Sequence, residues 1–389
     1  MKRILPIIVI SQFFCTSLWF AGNAVIAYII KQFHVDASYV AHLTSAVQFG
    51  FIIGTLIFAI LSIADRFSPS RVFFVSAVIA ALINLGIILK GINTTELILL
   101  RFFTGFFLAG IYPIGMKIAS DHYQQGLGRS LGFLVGALVL GTAFPHLLKT
   151  FTNTLPFNYV IYATSLLGAL GGLAMLLLVP DGPYRKASQQ LNLIAFLNGF
   201  KNKALRTAAF GYFGHMWELY AFWVFVPIML SNYNAHYPAA DLNVPLLSFL
   251  IIAAGSIACV IGGLASQRFG VKPTATFALL LSCICCIISP LLLFNGSQMV
   301  LICFLVIWSM AAIADSPLFS TLIAKNAPEA FKGSSLTIVN CIGFSITILS
   351  IQLIHLLMDA TNSRYIFMLL SIGPVLGLIA LVRNRAIAE

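Results

Sequence analysis

The sequence predicts an all-α integral membrane protein of twelve transmembrane helices in two pseudo-symmetric six-helix bundles, and three observations predict it. Of 389 residues, 60% are hydrophobic and only 8% charged, whereas a soluble globular domain carries about 25% charged residues. Apolar runs long enough to cross a bilayer, about 20 residues at about 1.5 Å each, recur from one end of the chain to the other. The net charge of +11 comes as single or paired basic residues between those runs, not as a stripe or tail. Such a pattern excludes nucleic acid as a partner and fits loops anchored beside a lipid bilayer.

Cutting at charges, Gly/Pro turns and polar gaps gives spans 4–30, 40–63, 71–91, 95–119, 130–150, 158–180, 204–231, 244–267, 273–294, 297–322, 334–358 and 362–383. The first is too long for a signal peptide and lacks an A-x-A cleavage site, so it reads as a membrane helix. Prolines within spans, at Pro113, Pro145, Pro227, Pro290 and Pro317, are tolerated because neighbouring helices satisfy the freed backbone groups. With the N-terminus inside, 17 of the 22 Lys and Arg fall on the cytoplasmic side, four outside, and Arg101 within a span. This bias predicts a multi-pass protein of the inner (cytoplasmic) membrane with both termini cytoplasmic. The longest polar gap, 181–203, separates a bundle of 1–180 from one of 204–389. Its middle, Leu191 to Phe200, reads as an ordinary linker or as an amphipathic helix on the membrane surface.

All seven cysteines lie in apolar runs and read as small hydrophobes. Cys283 and Cys286 have CxxC spacing, but no second pair or nearby His completes a metal site. No metal or cofactor is expected. Walker-loop and HExxH patterns are absent from the sequence, and the G-x-S-x-G spacing of Gly128 to Gly132 opens an apolar span and not a strand-to-helix turn, so it is no nucleophile elbow, which argues against an ATP-driven pump and against an enzyme.

The two halves repeat. Asp65-Arg66-Phe67 with Arg71 follows the second span, and Arg268-Phe269-Gly270 with Lys272 follows the eighth; Gly128-Arg129-Ser130 and Lys332-Gly333-Ser334 stand at another corresponding pair of places. Duplicated halves of this kind are a feature of secondary transporters. The loop residues resemble the signature G-x-L-x-D-R-x-G-R-[KR] of the major facilitator superfamily in its twelve-helix bacterial form. Asp65 and Arg66 match it, Leu61 and Ser68 replace its glycines, and Gly263, Arg268, Gly270 and Lys272 match it again with Gln267 in place of the acid. Arg101 to Gly105 is similar to the family's fourth-helix R-x-x-x-G motif. The resemblance implies the major facilitator fold and alternating access. It also implies a cytoplasmic latch or gate, here Asp65, Arg66, Arg71, Asp121, Arg129, Arg268 and Lys272. In such a latch Arg66 pairs with Asp121, and Asp65 caps a helix N-terminus such as that near Ser334; the plainer reading makes Arg66 and Arg71 topology anchors.

Of the eleven acids, only Glu218 and Asp315 lie deep within spans, where ionisable groups are costly and serve substrate or proton pathways. Gly211, His215, Glu218 and Phe222 follow i, i+4, i+7, i+11 spacing, so the His215 ring and the Glu218 carboxylate can touch, as a proton-responsive or static pair. Asp315 binds solute, caps the segment after Pro317, or belongs to the inner gate. Arg101 either snorkels outward or is a cavity cation, with Gly105 permitting close helix approach. The first span offers Gln12, Thr16, Trp19 and Asn23 on one face. The resemblance implies that helices 1, 4, 7 and 10 line the cavity; Tyr112, Tyr220, Trp308 and, in the eleventh span, Asn340 are secondary cavity candidates, and Trp217 and Trp223 read as lipid-facing. Together these residues predict a monomeric, proton-coupled carrier of a small anionic or zwitterionic organic solute, such as a carboxylate metabolite or carboxylate siderophore. The alternatives are efflux of an amphipathic compound by proton antiport and, more distantly, a polytopic membrane enzyme.

Overall fold

The computed structural model describes residues 4–36, 39–123, 127–151, 156–185, 200–295, 297–328, 332–361 and 364–383, and among them there is no strand. Among the described residues eleven helices are long and apolar enough to cross a membrane, and the shorter apolar helix Ile4–Thr16 stands where the first span was expected. The chain divides into two compact units, Met1–Gln190 and Leu191–Glu389. Most of the gap 181–203, including the Leu191 to Phe200 stretch up to residue 199, lies outside the described residues.

The first unit opens with a departure from expectation. Its first span is not one helix but three pieces, α1 (Ile4–Thr16), α2 (Ala21–Ala24) and α3 (Ile26–Phe33). The break falls on Ser17, Leu18, Trp19 and Phe20, where Thr16 Oγ1 donates to Gln12 O at 2.8 Å and Ser17 Oγ to Phe14 O at 2.6 Å. Hydroxyls bonding back to the preceding turn compete with the helix ladder. There follow α4 (Tyr39–Ile60), α5 (Ile63–Arg66), α6 (Pro69–Leu85), α7 (Thr94–Leu108), α8 (Tyr112–His122), α9 (Leu127–Phe151) and α10 (Asn158–Leu178). A capping box starts α7: Asn93 Oδ1 accepts from Glu96 N at 2.9 Å and Glu96 Oε2 from Asn93 N at 2.8 Å. Glycines let α4 and α7 touch backbone to backbone, because a Cβ on Gly50 would collide with the Phe102 carbonyl and one on Gly105 with the Val47 carbonyl.

The second unit contains α11 (Lys203–His236), α12 (Val244–Phe269), α13 (Val271–Asn295), α14 (Gln298–Ala314), α15 (Ser316–Asn326), α16 (Lys332–Ala360) and α17 (Ile372–Arg383). At 34 residues α11 is the longest, and it runs unbroken through Pro227. It packs on α16 and α17, meeting α17 where Gly214 lies against the Gly373 backbone. The two units break one helix at corresponding places. The fourth span parts between Leu108 and Tyr112 just before Pro113, and the tenth parts at Asp315 just before Pro317. A proline has no N–H to give and crowds the preceding turn, so each chain restarts with proline in the first turn of the new helix.

Candidate functional site

In the second unit the buried charges are sorted differently from the i, i+3 reading of α11. Glu218 is 1% exposed. Its Oε1 accepts from the Trp308 indole Nε1 at 2.6 Å and its Oε2 from Ser282 Oγ at 2.8 Å, while the Cys286 thiol also bonds to it. Those donors come from α14 and α13 and all are neutral; no Lys, Arg or His pairs with Glu218 among the described residues. His215 does not touch Glu218. Its Nδ1 lies 2.7 Å from Asp315 Oδ1, and its ring sits between those of Tyr212 and Phe319, at 5.9 and 6.2 Å. The expected His215–Glu218 contact is therefore replaced by a pairing across helices. Asp315 occupies the break between α14 and α15, where a side chain reaches α11 without unwinding anything further. Although it stands at the N-cap position of α15, its carboxylate makes no capping bond, so the cap reading of Asp315 is corrected. His215 Nε2 and Asp315 Oδ2, both buried, have no hydrogen-bond partner among the described residues.

Aromatic rings wall this cluster. Trp308 packs on Phe222 and Phe304, at 4.6 and 5.4 Å, and Tyr220 on Trp223 and Phe344, each at 5.2 Å. Trp223 is fully buried, contrary to a lipid-facing position, while half-buried Trp217 donates to Leu369 O at 3.1 Å. Asn340 accepts from the Tyr212 hydroxyl at 2.7 Å.

Arg101 in the first unit is 0% exposed and does not snorkel. One terminal nitrogen donates to Leu18 O at 3.0 Å and Trp19 O at 2.6 Å, and the other to Asn84 Oδ1 at 3.2 Å. The guanidinium thus satisfies carbonyls orphaned by the break between α1 and α2, as cations do at helix C-termini. Asn84 in turn donates to Thr164 and Ser165, at 3.2 and 2.9 Å, which ties α1, α6, α7 and α10 into one polar chain. Arg101 Nε lies beside Gly22 without a partner, and no carboxylate pairs with the guanidinium among the described residues. On α1, Gln12 is fully buried against Gly115 of α8, with both amide atoms unpartnered among the described residues. Asn23 donates to Thr44 Oγ1 at 2.7 Å, and its own oxygen has no partner among the described residues; Trp19 packs 5.0 Å from Phe51. Tyr112 is buried at the start of α8.

At the loop end of the first unit Asp121 has a partner other than the one expected, and Asp65 shares it. Lys117 lies 3.2 Å from Asp65 and 3.6 Å from Asp121. Arg66, expected on Asp121, is exposed and forms no ion pair among the described residues, and Arg71 is exposed likewise. Arg185 donates to the Asp65 and Phe67 carbonyls at 3.0 and 2.8 Å and to Asp181 at 2.8 Å, while Ser68 Oγ donates to Asp181 at 2.6 Å. Ser62, beside the Leu61 that replaces a signature glycine, turns left-handed at φ 51°. The side chain of Arg129 lies outside the described residues. In the second unit Arg268 is exposed 5.4 Å over the Phe269 ring, and Lys272 is half-buried.

Sequence reading missed Ser282, Asn84 and Lys117. Ser282 and Asn84 were detectable as lone polar residues inside apolar spans, but their roles depend on which neighbour each faces.

Three comparisons bear on this architecture. The family model described as Major Facilitator Superfamily matches residues 8–351. No curated protein sequence matches the chain. Among solved structures, the proton:xylose symporter XylE bound to 6-bromo-6-deoxy-D-glucose is similar with a TM-score of 0.76 at 12% identity, over 98% of this chain and 94% of that one. The human organic anion transporter MFSD10 (TETRAN) is similar with a TM-score of 0.74 at 13% identity, over 98% and 99%. At such identities the structural likeness speaks for the fold alone.

Proposed function

The chain belongs to the major facilitator superfamily, is a membrane transporter and not an enzyme, and from that premise we propose that it is a proton-coupled carrier of a small anionic or zwitterionic organic solute. Glu218 carries the reading. A buried carboxylate whose partners are all neutral donors is costly to keep charged, and a proton removes that charge at the site itself. The protonated and ionised states then differ in how α11 is held to α13 and α14, and a transport cycle needs a difference of that kind. Arg101 supports the solute class: a fully buried guanidinium with no carboxylate partner among the described residues leaves a positive field that an anionic group offsets. His215, Asp315, Gln12, Trp19, Asn23, Tyr112, Tyr220, Trp308 and Asn340 make up the rest of the proposed substrate and proton site. Lys117 joins Asp65 and Asp121 in the proposed gate. Working as a monomer by alternating access, with both termini in the cytoplasm, completes the proposal.

The test begins with thermal-shift screening of the purified protein against carboxylic acids, amino acids, nucleosides and amphipathic drugs. Uptake of a stabilising compound into proteoliposomes under an imposed pH gradient follows. Glu218→Gln abolishes gradient-driven uptake on this reading; undiminished uptake with the wild-type pH response overturns it. Stabilisation by lipophilic cations alone replaces the solute class with efflux of amphipathic compounds.

A further inference from the structure

Glu218 is held by two helices at once, and the holding groups are chemically specific. The indole N–H of Trp308 reaches one carboxylate oxygen from α14 at 2.6 Å, and the Ser282 hydroxyl reaches the other from α13 at 2.8 Å. Trp308 is itself immobilised between Phe222 and Phe304, and Ser282 is fully buried. Indole N–H is a donor only: it bonds a charged carboxylate oxygen more strongly than the carbonyl oxygen of the neutral acid, and it cannot accept the acid's own O–H. A hydroxyl serves either state. We propose that Trp308 and Ser282 are positioning residues that set the pH at which Glu218 exchanges its proton, Trp308 by favouring the ionised form and Ser282 by orienting the carboxylate toward α13.

The inference rests on the proton-site reading of Glu218. The groups facing this carboxylate are few. From α13 come the thiols of Cys283, Cys285 and Cys286; from the break after α14 comes Asp315; on α11 itself His215 is engaged with Asp315. None of them brings a positive charge onto Glu218, so the two donors carry most of the support for its charged form.

A solute-independent measurement tests this. The protein is reconstituted in phosphatidylethanolamine–phosphatidylglycerol vesicles and titrated by infrared difference spectroscopy, with Glu218→Gln identifying the protonated-carboxyl band of Glu218. Losing a hydrogen bond to a charged group moves a titration by about one pH unit or more. Trp308→Phe keeps the aromatic packing and shifts the midpoint alkaline by that amount. Ser282→Ala gives a smaller alkaline shift that Ser282→Thr reverses, which keeps the test open if Trp308→Phe fails to fold. A band that titrates with the same midpoint in Trp308→Phe and Ser282→Ala overturns the positioning role and leaves the proton site standing. If Glu218→Gln removes no titrating band, the proton-site reading itself fails.

Discussion

Arg101→Met removes a buried cation that holds a broken helix together, and the structure sets the expected cost. Three acceptors lose their donor: Leu18 O, Trp19 O and Asn84 Oδ1. Each buried acceptor left unmade costs about 1 to 3 kcal/mol, roughly 3 to 9 in total. Against this, the variant no longer buries a charge without a counterion, a relief of several kcal/mol. The two carbonyls are main-chain groups at a break and cannot turn toward other donors, so a net loss of about 2 to 4 kcal/mol remains. Arg101→Lys keeps the charge but replaces a fork that reaches three acceptors with a single ammonium, and falls between wild type and the Met variant. Unfolding of the purified protein in mixed micelles, followed by tryptophan fluorescence, reads both. A Met variant as stable as wild type, or a Lys variant less stable than the Met one, would refute the reasoning.

Gly105→Ala places a methyl on the Val47 carbonyl and forces α4 from α7; a loss of about 1 to 3 kcal/mol is expected, visible as a lower melting temperature. Gly263→Ala, whose methyl meets nothing within 4 Å, is the matched control, and equal melting shifts would contradict the packing argument. A double-mutant cycle of His215→Asn and Asp315→Asn should return a coupling of about 1 to 3 kcal/mol for the 2.7 Å pair; additive effects would mean that the two do not interact. Lys117→Met should cost up to about 1 kcal/mol, less in high salt, because its pairs are partly solvated. Arg66→Met should leave stability unchanged, and a salt-sensitive loss on that side would revive the Arg66–Asp121 latch.

Charge-poor composition and the spacing of apolar runs made the helices readable one by one, because a bilayer requires each crossing to satisfy its own backbone and present apolar side chains. The breaks in the fourth and tenth spans were marked by Pro113 and Pro317. The break in the first span was not, since no proline or glycine stands at Ser17 to Phe20 and the device that stabilises it, Arg101, comes from a helix far along the chain. Glu218, Asp315 and Arg101 stood out by sequence because charge is rare inside spans. Their partners did not, because helical spacing ranks neighbours on one helix and is silent about those across a gap.

Alone, the sequence therefore determined that this protein spans a membrane as two repeated halves, and which three charged side chains lie deep within spans. Tertiary structure decided whom each charge faces: Glu218 on Trp308 and Ser282, His215 on Asp315, Arg101 on the carbonyls of a broken helix. The division has a physical origin. Insertion into a bilayer is governed by local composition, which a sequence displays directly, whereas pairing of buried polar groups depends on rotation and close approach of helices that glycines such as Gly50 and Gly105 permit.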